Sequence, residues 1–488
     1  MSSILEYLSV GFGVAFSAQN LLVAAIGAFI GTIVGVLPGL GPINGVAMLV
    51  PIAFAMKLPP ESALILLAAV YVGAEYGGRI TSILINVPGE AAAVMTTLDG
   101  YPLARKGMAS VALSLSAFAS FIGSTIAICG IVLLAPMLAG WAVAFGPAEY
   151  FVLMVFAFCA LTSLLGDEPV KGILAAMLGL FISTVGVDAN SGVYRYSFDI
   201  PNLADGIDFV VVVIGLFAVA EMLQMLENLL GGVSIEVPKS KRKLFNLKEL
   251  GLTWWSTVRG GLMGFFIGIL PGAGASVASA VAYANEKKYI EGRDPNAMFG
   301  QGDMRGLAAP EAANNSAATG SFIPMLTLGV PGSGTTAVMM GALTLYNITP
   351  GPVLFESQPQ IVWGLIASLM VANVMLFLMN VPMVRVFASM LAIPPRLLVP
   401  GILAISDIGV YAINGTTFDL LLVVGIGVLG YFLRKMNVPM APMVLGVVLG
   451  NMMEQNLRRA LSITDGQLGI LFESPVSISL WIAALLVS

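Results

Sequence analysis

A glycine-rich turn containing Pro-Gly interrupts an uncharged apolar run twice in this chain. The run Gly27–Gly41 (GAFIGTIVGVLPGLG) recurs without a gap as Gly260–Gly274 (GGLMGFFIGILPGAG). Proline lacks a backbone N–H and glycine permits positive φ, so each turn breaks an apolar helix. The opened backbone must be buried in protein or line a polar cavity, because hydrocarbon leaves it unsatisfied. Broken helices at matching positions in two halves are typical of secondary transporters, whose substrate binds where the breaks meet.

The composition indicates a membrane protein. Hydrophobic residues make up 58% of the 488 residues and charged residues 10%, against about 25% charged in soluble domains. Residues 7–56 and 107–148 contain no charged side chain, and such continuous apolar runs favour helices over a barrel. We predict an all-α integral membrane protein with about ten to twelve membrane segments, since a span needs about 20 apolar residues.

Other residue types narrow the chemistry. The chain has no histidine and two cysteines, Cys129 and Cys159, each within an apolar stretch. This disfavours a disulfide framework, a thiolate metal site and an imidazole proton relay, and we predict no cofactor. The N-terminus lacks a basic segment followed by a small-residue cleavage site, so we predict no removable signal peptide.

The charges divide the chain into three parts. The basic run Lys239–Lys243 (KSKRK) predicts a cytoplasmic linker over 231–256, between a first membrane repeat at 1–230 and a second at 257–488. Two further basic loops, at Arg105 and at 287–305, match charge-poor loops in the other half. Corresponding loops on opposite faces of the membrane would make the two repeats inverted.

Each half contains a second break. Gly77–Glu90 corresponds to Gly320–Ser333, with a shared Val-Pro-Gly. We therefore predict four tips of broken helices and re-entrant hairpins, at 37–42, 86–90, 270–276 and 329–336.

The tips can bind ions of both signs. Helix N-termini that restart after a break suit an anion, and carbonyls freed before it suit Na⁺. The predicted substrate-binding residues are Pro38, Gly39, Gly41, Asn44, Arg79, Asn86, Pro88, Gly89, Pro271, Gly272, Gly274, Ser276, Asn314, Asn315, Pro331, Gly332, Ser333 and Thr335. A Na⁺ site is predicted at the same tips, with Asn44, Asn86, Asn315 and Thr336 as ligands.

Structural interpretations compete with these roles. Gly27, Gly31 and Gly35 have the Gly-x-x-x-Gly spacing of close helix packing, which we favour for them and for their counterparts. The polar stretch 310–320 could make interhelical hydrogen bonds alone. Glu75 and Arg79 lie four residues apart, so an ion pair on one helix face explains both; alternatively, Arg79 supplies the positive charge that a multivalent carboxylate requires.

At these residues the chain resembles the large membrane subunit of the tripartite tricarboxylate transporters, the TctA-type family. The resemblance covers nearly the whole chain. It is carried by several motifs in order: Leu37–Pro42 (LPGLGP), Tyr76–Gly78 (YGG), Asn86–Gly89 (NVPG), Leu98–Arg105 (LDGYPLAR), Leu270–Gly274 (LPGAG), Pro310–Asn315 (PEAANN) and Gly329–Gly332 (GVPG).

The resemblance implies a cation-coupled importer of citrate or another organic carboxylate in the bacterial inner membrane. It implies two partners, a small membrane subunit of about four helices (TctB-like) and a periplasmic solute-binding protein (TctC-like). A homodimer is left open. Members of this family can also carry small polar residues at the positions of Arg79 and Glu90. These two charged residues would therefore tune the substrate, which puts citrate itself in doubt.

The sequence reading is thus a Na⁺-coupled transporter with alternating access, by analogy of the elevator type. Two other classes compete with it. A channel would use the tips as a filter, and an intramembrane enzyme would depend on Glu311 and Asp99, without histidine or a reactive cysteine.

Overall fold

The computed structural model describes residues 2–37, 40–164, 169–188, 191–228, 244–383, 386, 400–401, 403–404, 406–408, 410–411 and 415–487. Pro38 and Gly39 of the first tip lie outside these ranges, as does the basic run Lys239–Lys243 of the linker. Within them the regular secondary structure is helical apart from one short antiparallel hairpin, β1 (Gly186–Val187) and β2 (Tyr194–Arg195), which pairs Gly186 with Arg195.

Ten α-helices precede the linker in the described residues. They are α1 (Ser2–Ala15), α2 (Ala18–Val36), α3 (Gly41–Ala55), α4 (Pro60–Ile85), α5 (Val94–Leu103), α6 (Ala109–Ala142), α7 (Pro147–Leu164), α8 (Pro169–Ser183), α9 (Phe209–Val213) and α10 (Ala220–Asn228). Two π-helical segments, Ala104–Met108 and Ile214–Val219, join α5 to α6 and α9 to α10, and 3₁₀ turns form at Ala91–Ala93 and Pro201–Leu203.

Ten more α-helices follow in the described part of the second half. They are α11 (Leu247–Gly268), α12 (Gly274–Glu291), α13 (Met304–Gly320), α14 (Phe322–Leu328), α15 (Gly334–Leu345), α16 (Leu354–Ser357), α17 (Pro359–Asn380), α18 (Thr417–Lys435), α19 (Met440–Ile463) and α20 (Pro475–Val487), with a 3₁₀ turn at Leu468–Phe472.

Local sequence sets many of these helix starts. Proline begins several of them, because its missing N–H and fixed φ suit the first helical turn; they begin at Pro60, Pro147, Pro169, Pro359 and Pro475. Asn246 and Glu249 form a capping box at the start of α11, with each side chain bonded to the other's backbone N–H. Such reciprocal bonds satisfy two free N–H groups of a helix end.

Six helical segments of the described chain are long and apolar enough to cross a membrane, and six shorter ones are apolar. The six long ones are Ala18–Val36, Pro60–Ile85, Ala91–Ala142, Phe209–Glu227, Pro359–Asn380 and Thr417–Lys435. The predicted all-α, multi-pass membrane protein is confirmed. The number of membrane segments and the inverted arrangement remain predictions.

Glycine faces bring two pairs of helices into backbone contact. A Cβ added at Gly27, Gly31 or Gly35 of α2 would meet the carbonyl of Leu66, Val70 or Ala74 of α4; in the second half, Gly260, Gly264 and Gly268 of α11 lie in the same way against Ala309, Ala313 and Ala317 of α13. These glycines therefore serve close packing, as their spacing indicates.

Candidate functional site

The backbone turns in the same way at corresponding tips. Gly41 and Gly274, which begin α3 and α12, have φ of 62° and 65°. Asn86 and Gly329, which end α4 and α14, have φ of 58° and 65°. These are left-handed conformations that glycine and, less often, asparagine adopt. The sequence correspondence between the halves is thus matched in the local geometry.

The residues that follow the two Val-Pro-Gly motifs have the same backbone conformation but different side chains. Glu90 and Ser333 are both extended, with φ, ψ of −148°, 168° and −152°, 168°. The Ser333 hydroxyl accepts from the Thr336 N–H at 3.2 Å and caps α15. Glu90 makes no side-chain cap to its own helix. Its carboxylate is therefore available to other groups.

A cavity of about 440 Å³ lies where the four tips meet. The first turns of α3, α12 and α15 open onto it, together with the turn that precedes α5. Its wall consists of Leu40, Gly41, Pro42, Ile43, Asn44, Tyr71, Glu75, Pro88, Gly89, Glu90, Ala91, Ala92, Phe217, Gly274, Ala275, Ser276, Ser333, Gly334, Thr335, Arg434 and Ala441.

The structure brings part of the predicted substrate-binding set to this cavity. The members in its wall are Gly41, Asn44, Pro88, Gly89, Gly274, Ser276, Ser333 and Thr335. Those outside the wall are Arg79, Asn86, Pro271, Gly272, Asn314, Asn315, Pro331 and Gly332. Asn314 lies one layer behind it, because its Nδ2 donates to Glu90 Oε1 at 3.0 Å. Binding at any of these residues stays a prediction.

The four predicted Na⁺ ligands have different surroundings. Asn44 faces the cavity and donates to the Leu40 carbonyl, and Thr336 bonds to Ser333 in the start of α15. Asn86 is exposed at the end of α4, and Asn315 lies beside Glu311. In this conformation they do not line one common cavity, since only Asn44 is in the wall.

Arg79 lies inside the protein rather than at the cavity. Its Nη1 donates to the Leu113 carbonyl at 2.7 Å and to Ser116 Oγ at 2.8 Å, and its Nη2 donates to Asn380 Oδ1 at 3.2 Å. The expected ion pair with Glu75 is absent from the described residues, and Glu75 faces the cavity instead. Arg79 thus joins α4 to α6 and α17, so the ion pair with Glu75 is wrong for this structure, and substrate binding by Arg79 stays a prediction.

A second buried polar cluster lies around Glu311 on α13. Its carboxylate accepts from Thr96 and, at 3.1 Å, from Ser120 Oγ, which in turn accepts from Asn315 Nδ2 at 2.8 Å. Asn315 Oδ1 has no hydrogen-bond partner in the described ranges. The polar stretch 310–320 therefore makes interhelical hydrogen bonds, as the structural interpretation predicts. The side-chain oxygen of Asn315 is left over from this network.

Four wall residues with polar or charged side chains were absent from the predicted set. Glu75 and Glu90 carried a signal, because charges inside apolar segments are costly and usually functional. Tyr71, whose hydroxyl lies 3.0 Å from Ser333 Oγ, carried none. Arg434 also reaches the wall, where it pairs with Glu221 and donates to the Leu216 carbonyl at 3.1 Å. Arg434 is far in sequence from every tip, so residue spacing does not predict that it reaches the cavity.

Comparisons with known proteins agree with the motifs. The model of the "Tripartite tricarboxylate transporter TctA family" matches residues 21–445. A protein of Agrobacterium vitis described as "Uncharacterized 52.8 kDa protein in TAR-I ttuC' 3'region" is 39% identical over 480 residues, covering 98% of this chain and 94% of that protein. Another, "Uncharacterized protein in TAR-II ttuC' 3'region", is 42% identical over 217 residues, covering 44% of this chain and 88% of that protein. No solved structure matches. The chain belongs to the TctA family of tripartite tricarboxylate transporters.

Proposed function

We propose that the protein is the large transmembrane subunit of a secondary transporter that imports a tricarboxylate or similar organic acid with Na⁺. The observation that carries this proposal is the convergence of three helix N-termini, those of α3, α12 and α15, on one cavity between the tips.

Charge supports an anionic substrate at this place. Each helix N-terminus presents free N–H groups and about half a positive charge. A volume of about 440 Å³ lies within the range of small-molecule sites, about 300–1,000 Å³. A small carboxylate in the cavity would accept hydrogen bonds from the first turns of these helices, with Ser276, Ser333 and Thr335 adding hydroxyl groups.

A coupling cation follows from the electrostatics of the same cavity. The substrate would enter beside Glu75 and Glu90, so negative charge would accumulate unless a cation entered as well. Backbone carbonyls are oxygen ligands that Na⁺ prefers, and those that end α2, α4, α11 and α14 belong to residues outside the cavity wall. Symport with a cation meets both requirements.

The remaining parts of the proposal come from family membership and pseudo-symmetry. A small membrane subunit and a periplasmic solute-binding protein would deliver the substrate in the bacterial inner membrane. The two halves would be inverted repeats that give alternating access, with the tips moving against the other helices in an elevator-type motion.

Uptake into proteoliposomes tests this function. The protein, its small subunit and the binding protein are reconstituted together, and uptake of labelled citrate and a panel of carboxylates is measured with and without an inward Na⁺ gradient. We expect Na⁺-stimulated uptake that requires the binding protein. Replacing Thr335 with Val should reduce it, whereas Thr464→Val, at a half-buried position outside the cavity wall, should not. Uptake that ignores Na⁺ would reject the coupling ion, and ionic currents without the binding protein would indicate a channel.

A further inference from the structure

Two carboxyl groups face each other in the cavity wall. Glu75 comes from the middle of α4 and Glu90 from the turn before α5, and they are 2% and 9% exposed. The Glu90 side chain packs against Gly78, three residues along α4 from Glu75, where an added Cβ would lie 2.7 Å from Glu90 Cγ. Two carboxylates that share a site cannot both ionise without strong repulsion, so one proton between them is the stable arrangement.

No basic group neutralises this pair within the described residues. Arg79 lies one turn along α4, but its guanidinium bonds to Leu113, Ser116 and Asn380. Arg434 reaches the cavity wall in an ion pair with Glu221. The other titratable groups that face the pair are Tyr71, whose hydroxyl lies 3.0 Å from Ser333 Oγ, and Glu311, which Thr96 and Ser120 satisfy. A proton is therefore the positive charge that remains to compensate Glu75 and Glu90.

An open acceptor next to the pair indicates that a proton is held there. Asn314 is 1% exposed, and its Nδ2 donates to Glu90 Oε1 at 3.0 Å, yet its Oδ1 has no partner among the described residues. Glu75 Oε2 also lacks a partner in this part of the chain. Buried polar atoms are rarely left unsatisfied. A carboxylic O–H turned toward one of these oxygens would fill the gap, whereas two ionised carboxylates have no hydrogen to give.

The tip geometry frees Glu90 for this role. Its counterpart Ser333 has the same backbone conformation and uses its side chain to cap α15. Glu90 does not cap its own helix and instead turns toward Glu75 and Asn314. At corresponding positions of the two halves, Ser333 thus caps a helix, whereas Glu90 belongs to a pair of carboxyl groups.

We infer that Glu75 and Glu90 form a proton-binding pair that takes up one proton with the substrate anion and releases it on the other side of the membrane. The inference rests on the proposed transport function and deepens it. An anion bound beside the pair disfavours a second negative charge there, so anion and proton increase each other's affinity, as reciprocal coupling requires. Import would then be driven by protons in addition to any Na⁺.

Two measurements on the reconstituted complex test the pair. In proteoliposomes clamped at zero membrane potential, the ratio of uptake with an inward proton gradient to uptake without one is determined at constant Na⁺. For the wild type we expect a ratio of about five or more and acidification of the lumen on adding substrate; for Glu75→Gln and Glu90→Gln we expect a ratio of about one. The exposed Glu291→Gln is the matched control and should keep the wild-type ratio.

Infrared spectroscopy of the purified protein gives a readout that does not need transport. The C=O band of the pair's carboxylic acid should be present near neutral pH, should shift in Glu75→Gln and in Glu90→Gln, and should be lost in the variant that carries both substitutions. Its absence in the wild type, or wild-type proton stimulation in either variant, would overturn the proposal. Loss of Na⁺ stimulation alone would assign the pair to Na⁺ and overturn it as well. A wild type that shows the band but transports nothing would reject the proposed function and retain the proton-binding pair.

Discussion

Arg79 illustrates how a buried charge in a membrane helix can be structural. Its guanidinium donates to the backbone of α6, to Ser116 and to Asn380 at the end of α17, and it is fully buried. A hydrogen bond from a charged group contributes about 1.5–3 kcal/mol to stability. Three helices are thus connected at one residue, and the side chain has little freedom to reach a substrate.

Replacing Arg79 with Gln should therefore lower the stability of the protein. The shorter amide cannot reach all three acceptors, so we expect a lower apparent Tm in detergent and less protein in the membrane, equivalent to about 2 kcal/mol or more. The exposed Arg105→Gln should leave both unchanged. Measurement of Tm together with uptake per folded molecule separates the roles, since a stable variant that has lost uptake would make Arg79 a substrate ligand.

At the scale of elements, the packing of α2 on α4 and of α11 on α13 depends on glycine. Gly31 and Gly264 hold corresponding positions against Val70 and Ala313. A methyl group at either position would meet backbone carbonyl atoms, which cannot move aside as a flexible side chain does. Overpacking of this kind costs about 1–3 kcal/mol.

Gly31→Ala and Gly264→Ala should each lower the apparent Tm by a similar amount. Gly13 of α1 is the control, because nothing lies within 4 Å of a Cβ added there, and alanine there should be neutral or stabilising by up to about 1 kcal/mol through helix propensity. Thermal unfolding in detergent measures all three. Equal Tm values for Gly31→Ala, Gly264→Ala and Gly13→Ala would contradict the packing role.

The helix breaks could be predicted from sequence because their causes are local. Proline and glycine act within one turn, and the left-handed φ of Asn86 and Gly329 follows from the residue types that tolerate it. Ser321 separates α13 from α14 where α4 continues without a break, because Pro324 of α14 stands where α4 has Thr81 and cannot donate to the preceding turn. The approach of Tyr71 and Arg434 to the cavity depends on how distant helices pack, which residue spacing does not encode.

At the scale of the whole molecule, the four tips enclose one cavity, whereas alternating access requires that this cavity open to each side in turn. Ser276 is half-buried in the cavity wall at the start of α12. Ser357, at the end of α16, is exposed. These two serines offer a matched pair of positions for a cysteine that reports access from water.

In a background with Cys129 and Cys159 replaced by Ala, Ser276→Cys should react with a membrane-impermeant thiol reagent from both sides. Reaction is measured in right-side-out and in inside-out vesicles, with and without carboxylate. Because the proposed alternating access would expose the cavity to one side at a time, substrate and cation should shift the ratio of the two rates, and bound substrate should slow both. Ser357→Cys should react from one side only, with no effect of substrate. Reaction of Ser276→Cys from a single side under every condition would exclude alternating access at this cavity, and equal, substrate-independent reaction from both sides would indicate an open pore.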